Sequence, residues 1–425
     1  MSFSRESLGS SYLAVRQQSL DICEPLEIED YLVQPMDDAS PPKWHLAHVT
    51  WFFETFLLKP FVRGYQVYDD AYEVLFNSYY NGVGEQYPRS KRGLLSRPTL
   101  DEVLEYRRHV DEHMLRLIDS DIDQDQQFRI ALGLHHEQQH QELLFTDIKY
   151  NLGNNPLCPP YRSNGADNNY RQTSQPLNFV EYEGGIFKIG VPTDSISGLN
   201  FAFDNESPRH DILVRDFAIS DRLITNGEFL EFIEDGGYQR PELWLSDAWS
   251  MLKARSDENI PSPLYWFKKD SEWFEYTLDG VERLAMNKPV CHVSGYEAEA
   301  FASWKGMRLP TEQEWEVMAG DADVVGNFVD SGALHPEPVS FPDKGVRQVF
   351  GDVWEWTQSS YGPYPGFKPF AGALGEYNGK FMANQLVLRG GSCVTPASHI
   401  RRTYRNFFYP EDCWQFTGIR LASVD

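Results

Sequence analysis

His136 and His140 stand four residues apart in the run Leu134-His135-His136-Glu137-Gln138-Gln139-His140-Gln141-Glu142-Leu143. On a helix that spacing sets two imidazoles on one face, one above the other. A single helix supplies two nitrogen ligands to one transition metal in this way. Projection at about 100° per residue puts Phe128, Leu132 and Leu143 on one side of this helix. Ile130, Leu144 and Ile148 lie on the other, with both histidines between the arcs. They therefore face protein interior, where a pair of imidazoles is costly to bury unless a partner such as a metal holds it. His109 and His113 share the spacing but fall off the Val103/Val110/Leu117 stripe, and they read as solvated. A third ligand is expected from Trp44-His45-Leu46-Ala47-His48-Val49-Thr50-Trp51. That segment is apolar on most faces, so periodicity does not choose between His45 and His48. Three imidazoles without a carboxylate leave about half of an octahedral shell open, which suits Fe(II) with a thiolate and O2. A zinc-bound water is served equally well.

The elements that must position these residues are helices over the first ~155 residues. Ser40-Pro41-Pro42 opens a helix over Trp44 to Leu58, and Thr99 with Glu102 forms a capping box for a helix to about Ile118. Val103, Val110, Met114 and Leu117 make the inward stripe of that helix. A third helix runs from about Phe128 to Leu152, stopped by Gly153 and Pro156, and an earlier one covers Tyr12 to Asp21. Together they predict a four-helix bundle, a scaffold that holds metals between facing helices. Residues 156–176, rich in Asn, Pro, Ser and Gln, read as a linker. Beyond them come short strands (Phe179–Tyr182, Ile186–Ile189, Ile212–Val214) and two short helices (Asn226–Ile233, Tyr296–Trp304) among long aromatic loops. This second half is expected to be an α+β domain whose loops carry binding residues.

With 425 residues, two or three domains are expected. Five scattered cysteines without a CxxC pair argue against a disulfide framework or a cysteine zinc site, and point to reduced thiols. The net charge of −25 opposes nucleic acid and anionic membranes. No run is long enough for a membrane span, and the start Met-Ser-Phe-Ser-Arg-Glu lacks a signal-peptide pattern, so a cytoplasmic protein is expected.

Pro42-Lys43-Trp44-His45-Leu46-Ala47-His48, with His136 through Glu142, resembles the DinB-type bundle of the ergothioneine-biosynthesis sulfoxide synthases. The second half resembles the formylglycine-generating-enzyme fold, a variant of the C-type lectin fold. The matching runs include Gly184-Gly185-Ile186-Phe187, Arg308-Leu309-Pro310-Thr311-Glu312-Gln313-Glu314-Trp315-Glu316, Gly351-Asp352-Val353-Trp354-Glu355-Trp356 and Leu388-Arg389-Gly390-Gly391-Ser392. The resemblance implies a multidomain α and α+β chain. A DinB-like four-helix bundle (1–155) precedes a linker (156–176) and a C-type-lectin-like domain (177–425). It also implies Fe(II) on His48, His136 and His140, and a reaction joining cysteine sulfur to the imidazole C2 carbon of hercynine with O2, giving a sulfoxide. Pathway neighbours would be a histidine methyltransferase and a C–S lyase.

Phe76-Asn77-Ser78-Tyr79-Tyr80-Asn81 is similar to the adjacent tyrosines of the cysteine-using branch, where a phenol is a sensible proton donor; packing is the plainer role for Tyr79 and Tyr80. Hercynine's quaternary ammonium calls for aromatic faces, and its ring and carboxylate for amides. Gln139, beside the ligand histidines, and Asn406, Phe407 and Phe408 in the late aromatic run are the residues expected to bind it, whereas Trp414 and Phe416 read as core. The thiol's carboxylate calls for an arginine. Arg89 is the first choice and Arg92 the second, with an exposed basic loop as the competing account.

The same residues bear on rival activities. Formylglycine generation needs paired cysteines after the Arg-Gly-Gly-Ser run, and here Cys393 is followed by Thr395 and Ile400. A zinc-dependent thiol transferase would use the same histidines but leaves the aromatic half unexplained, and a lectin-like binding module needs no buried histidine face. γ-Glutamylcysteine could replace cysteine. Ovothiol-type synthases act on histidine and commonly carry a methyltransferase domain; the end at Asp425, soon after the lectin-like motifs, favours ergothioneine.

Overall fold

Caps and a proline decide where the long helices begin. In the computed structural model, which describes residues 4–162, 174–254, 261–339 and 345–423, α1 (Leu8–Cys23), α2 (Pro42–Phe53), α3 (Leu100–Asp119) and α4 (Gln124–Gly153) form the bundle. Pro42 fills the first turn of α2, where a missing N–H costs nothing. The Thr99 hydroxyl accepts from the Glu102 N–H at 3.2 Å, starting α3 where the capping box predicts. A second box, Asp123 with Gln126, starts α4 four residues ahead of the expected Phe128. All twelve residues of α2 are buried, so its apolar character on every face reflects a central position. Beyond Phe53 the chain widens into a π turn over Glu54–Leu58, where Glu54 accepts hydrogen bonds from the Tyr65 and Tyr106 hydroxyls.

The chain divides into two compact units. The first comprises Met1–Leu157 together with Val191–Pro208 and Gly366–Lys380. Two segments from beyond residue 177, where the second domain is expected, thus pack as part of the helical unit. Phe201 stacks on His135 with centroids 4.5 Å apart, Phe370 meets Phe128 edge-on, and the Asn378 amide donates to Asp204 at 2.7 Å. The bundle also contains a buried ionic layer. Glu137 accepts from Arg16 (2.9 Å), Arg107 and Ser19 (2.7 Å). Burial would raise the Glu137 carboxyl, but Arg107 and Arg16 outweigh it and hold the group below the usual carboxylate range.

The second unit comprises Cys158–Gly190, Arg209–Pro365 and Phe381–Asp425. Of the expected linker, residues 163–173 lie outside the described residues. Strands β1 (Phe179–Tyr182), β2 (Gly185–Ile189), β3 (His210–Val214) and β4 (Phe217–Ser220) make two antiparallel pairs, β1 with β4 and β2 with β3. A three-stranded meander follows: β5 (Trp266–Lys269), β6 (Glu272–Thr277) and β7 (Gly280–Arg283). The central sheet runs β10-β9-β8-β11, built from β8 (Trp354–Ser360), β9 (Leu386–Arg389), β10 (Asn406–Phe408) and β11 (Thr417–Gly418). Helices α5 (Asn226–Glu234), α6 (Ser246–Ala254), α7 (Gly295–Trp304) and α8 (Glu312–Ala319) complete the unit, three of them opened by Thr/Ser–Glu capping boxes. The Arg-Leu-Pro-Thr-Glu-Gln-Glu run is one of these boxes, Thr311 with Glu314, reinforced by Arg308 bonding both oxygens of Glu314 at 2.7 Å. Among the described residues no helix is long and apolar enough to cross a membrane.

Candidate metal centre

Helices α2 and α4 bring His48, His136 and His140 together, with one ring nitrogen of each lying within 4.8 Å of the others. His48 and His136 are buried and His140 keeps an edge open. The Nε2 atoms of His48 and His136 are 3.2 Å apart. That separation fits two nitrogens sharing one ion at bonds of about 2 Å.

Neighbouring groups fix which nitrogens can donate lone pairs. The His48 Nδ1–H donates to the Phe76 carbonyl at 2.6 Å, leaving Nε2 as a lone pair directed at His136. His48 is further clamped between the rings of Trp44 and Trp51, stacked at 4.6 and 5.6 Å. His140 Nδ1 lies 2.8 Å from His45 Nδ1, and His45 Nε2 lies 3.0 Å from the Asp147 carboxylate. The carboxylate only accepts, so neutral His45 donates from Nε2 and accepts at Nδ1. His140 must then carry its proton on Nδ1, and its Nε2 is also a lone pair. Burial, and then the neighbouring His136, push the His48 imidazole well below its usual range. Burial, His136 and His48 do the same to His140, and burial alone dominates His136, pushed down to about 3. The donor set is three neutral imidazoles, and it fits a borderline transition metal. His45, the other histidine that periodicity left open, is the hydrogen-bond partner of this cluster and not one of the three.

Tyr79 and Tyr80 stack on each other at 4.7 Å in the loop after Phe76, and Tyr80 lies 5.6 Å from Trp51. Burial raises both phenols above their ordinary value and keeps them protonated. Gln139 is half-buried and accepts a hydrogen bond from the Tyr377 hydroxyl. Tyr377, on the Gly366–Lys380 segment, places its ring 5.6 Å from His136 and 6.2 Å from Tyr79, and stacks flat on Phe203 at 5.3 Å. Sequence reasoning missed it, because it lies in a glycine-rich loop without periodicity; the Glu-Tyr-Asn triplet at 376–378 is the only signal. Its neighbour Glu376 holds the tyrosine loop by accepting from the Asn81 and Gly82 N–H groups at 3.0 and 2.7 Å.

Arg89, the first choice for a carboxylate site, has an exposed side chain that faces Asp38 at 3.6 Å. Arg92 is buried. Its guanidinium lies 3.3 Å over the Trp44 ring and donates to the Ser40 and Ser78 hydroxyls at 2.9 and 3.2 Å, and no carboxylate pairs with it among the described residues. Asn406, Phe407 and Phe408 form β10, at the edge of the central sheet of the second unit. There Phe407 stacks on Tyr361 at 4.0 Å. Phe416 is buried as expected of core, whereas Trp414 is only half-buried. His109 and His113, expected to be solvated, are half-buried, with rings 5.7 and 5.1 Å from Tyr65. The loop after the π turn covers them, and helix projection carries no information about that loop.

A profile of the Sulfatase-modifying factor enzyme 1-like domain matches residues 166–340 and 337–424, and one of the DinB superfamily matches residues 11–144. The chain is 29% identical to a hercynine oxygenase of Mycolicibacterium smegmatis, across 98% of this chain and 99% of the relative. It is 30% identical to a hercynine oxygenase of Mycolicibacterium thermoresistibile, across 90% and 87%. An ergothioneine biosynthesis protein 1 of Schizosaccharomyces pombe is 28% identical across 52% of this chain and 27% of that longer protein. With both domains matched in order and full-length relatives of one kind, the chain belongs to the hercynine oxygenase family.

Proposed function

We propose that His48, His136 and His140 hold a ferrous ion in this chain, an oxygenase acting on hercynine in ergothioneine biosynthesis, and that the thiol it joins to hercynine is cysteine. The observation that carries the metal site is the pair of pinned tautomers. The Phe76 carbonyl and the Asp147–His45 pair each occupy the outer nitrogen of a ligand histidine, so both Nε2 lone pairs turn inward. The balanced reaction takes the hercynine C2–H, the cysteine S–H and one O2 to a C–S(=O) linkage and water. A bound ferrous ion would supply the one-electron and O2 chemistry of this change.

The protein's own groups bind, orient and move protons. Arg92, desolvated and paired with no carboxylate among the described residues, suits the carboxylate of the amino-acid thiol better than exposed Arg89. Gln139 offers an amide to the imidazole, and its bond to Tyr377 keeps that side chain aimed until substrate arrives. Tyr79, Tyr80 and Tyr377 form a protonated phenol cluster next to His136, and one of their Oη–H groups delivers the proton that steers oxidation toward coupling and away from plain thiol oxidation. Asn406, Phe407 and Phe408 are assigned to the hercynine betaine on its chemistry: a cation wanting aromatic faces and a carboxylate wanting an amide. We place the enzyme in the cytoplasm, in keeping with five scattered cysteines that make no CxxC pair, between a histidine methyltransferase and a C–S lyase.

Iron-reconstituted protein given hercynine, cysteine and air should yield the hercynyl-cysteine sulfoxide by mass analysis. Cysteine sulfinate as the sole product, or activity with zinc alone, would overturn the reading. A strong rate preference for γ-glutamylcysteine would overturn only the thiol assignment.

A further inference from the structure

We propose that Asp147 and His45 are positioning residues for the metal, acting as one relay that fixes the protonation pattern and the aim of His140. The inference rests on the ferrous-site reading above and concerns residues outside its ligand set. Asp147 lies on α4 seven residues after His140, two turns along the same face. One oxygen, Oδ2, accepts both the Ser40 N–H at 2.8 Å and His45 Nε2 at 3.0 Å, while Oδ1 has no hydrogen-bond partner. Both side chains are almost wholly buried, 3% exposed for His45 and 4% for Asp147. A buried carboxylate using one of its two oxygens is expensive to keep unless its orientation matters. Here it forces His45 to accept at Nδ1, where His140 can satisfy it only by donating from Nδ1.

The carboxylate–imidazole–imidazole chain therefore does for His140 what the Phe76 carbonyl does for His48, with one ring interposed. That ring also carries partial negative charge toward His140 and makes its Nε2 a stronger donor. The relay reaches further on its other side. Ser40 gives its N–H to Asp147 and takes the Arg92 guanidinium on its hydroxyl at 2.9 Å, so the cationic pocket and the third ligand share one support. A structural ion pair alone accounts for none of the directionality, since any cation would satisfy Asp147 without selecting the His140 tautomer.

The test measures Co(II) and Fe(II) affinity anaerobically, with the d–d absorption of the Co(II) protein, for the full-length wild type, Asp147→Asn, His45→Gln, their double variant and His140→Ala. Each single relay variant should bind about 10- to 100-fold more weakly than wild type and shift the Co(II) bands, and the double variant should lose no more than the worse single. Wild-type affinity and spectra in both singles would overturn the proposal, as would losses that add in the double variant, because two independent structural defects add. Should Asp147→Asn fail to fold, His45→Gln alone decides by its spectrum, since it keeps an amide donor for the carboxylate. Failure of the underlying metal reading looks different: wild type and His140→Ala would then bind alike.

Discussion

A ligand can be told from a bystander by what its loss leaves behind. Removing the His140 imidazole takes away one of three converging nitrogens and strands His45 Nδ1 in the interior. His140→Ala should therefore lose metal loading and hercynine-dependent O2 uptake together. His113 has the same helical spacing but meets the His109 carbonyl and ring and the Tyr65 face, outside the three-histidine cluster, so His113→Ala should keep both within about twofold. Elemental analysis of the two purified variants checks this, and a metal-loaded His140→Ala would refute it. The phenols allow a finer experiment. If one Oη–H steers the oxidation, removing it should raise sulfinate relative to sulfoxide, and Tyr80→Phe, Tyr79→Phe and Tyr377→Phe should differ in how far they do so. An unchanged product ratio in all three would remove the cluster from the chemistry. The histidine pair was legible in the sequence because a helix converts spacing into direction. Tyr377 was not, since an irregular loop does not convert spacing into direction. Arg89 and Arg92 stand three residues apart on a 3₁₀ turn (Arg89–Leu94), where such positions eclipse, so their spacing does not separate them.

Helices α2 and α4 keep the three histidines together only while their approach is held, and Gly133 lies where the two helices meet. A Cβ there would meet Phe53 Cε1 at 2.5 Å and Phe52 Cε1 at 3.1 Å, and the Phe52 ring lies 4.7 Å from His136. Helix propensity favours Gly133→Ala by up to about 1 kcal/mol, whereas overpacking in a close-packed core costs about 1–3 kcal/mol. The contacts are to rings fixed by their own neighbours, so overpacking wins: the variant should show a lower urea midpoint and weaker metal binding. A raised midpoint would show that the helices can part without cost. Caps explain why the elements were readable. Thr99–Glu102 and the buried stripe of Val103, Val110, Met114 and Leu117 placed α3 to within a residue. The Asp123–Gln126 box, with Gln in place of Glu, went unread and cost four residues at the start of α4. The segments Val191–Pro208 and Gly366–Lys380 were unreadable for a deeper reason. Their partners are His135, Phe128, Tyr79 and Gln139, far away in sequence, and their order comes from those contacts and not from any local period.

At the scale of the molecule, two charge effects compete as pH falls. The net charge of −25 repels itself, and protonating carboxylates would relieve that strain. Against it stand the buried histidines. His48, His136 and His140 are held below their ordinary range by burial, so the unfolded chain binds protons that the folded, metal-free chain refuses. A group depressed on folding contributes stability above its unfolded value and loses it as pH drops toward its folded one. For imidazole the loss begins near pH 6.5 and is worth up to about 1.4 kcal/mol per pH unit for each histidine; for His136 it continues down to about 3. Ordinary carboxylates titrate near pH 4 and relieve little repulsion between pH 7 and 5. Asp352, raised by burial to about 6, adds stability as pH falls over that interval, but one such carboxyl opposes three histidines, so the histidines decide the sign. Metal-free protein should therefore lose Tm steadily from pH 7 to pH 5, and His136→Leu should flatten that slope by removing one of the protons involved. A Tm that holds or rises over the same interval, or an identical slope in His136→Leu, would mean that these imidazoles are not held neutral by the fold and that the ligand set is not preformed.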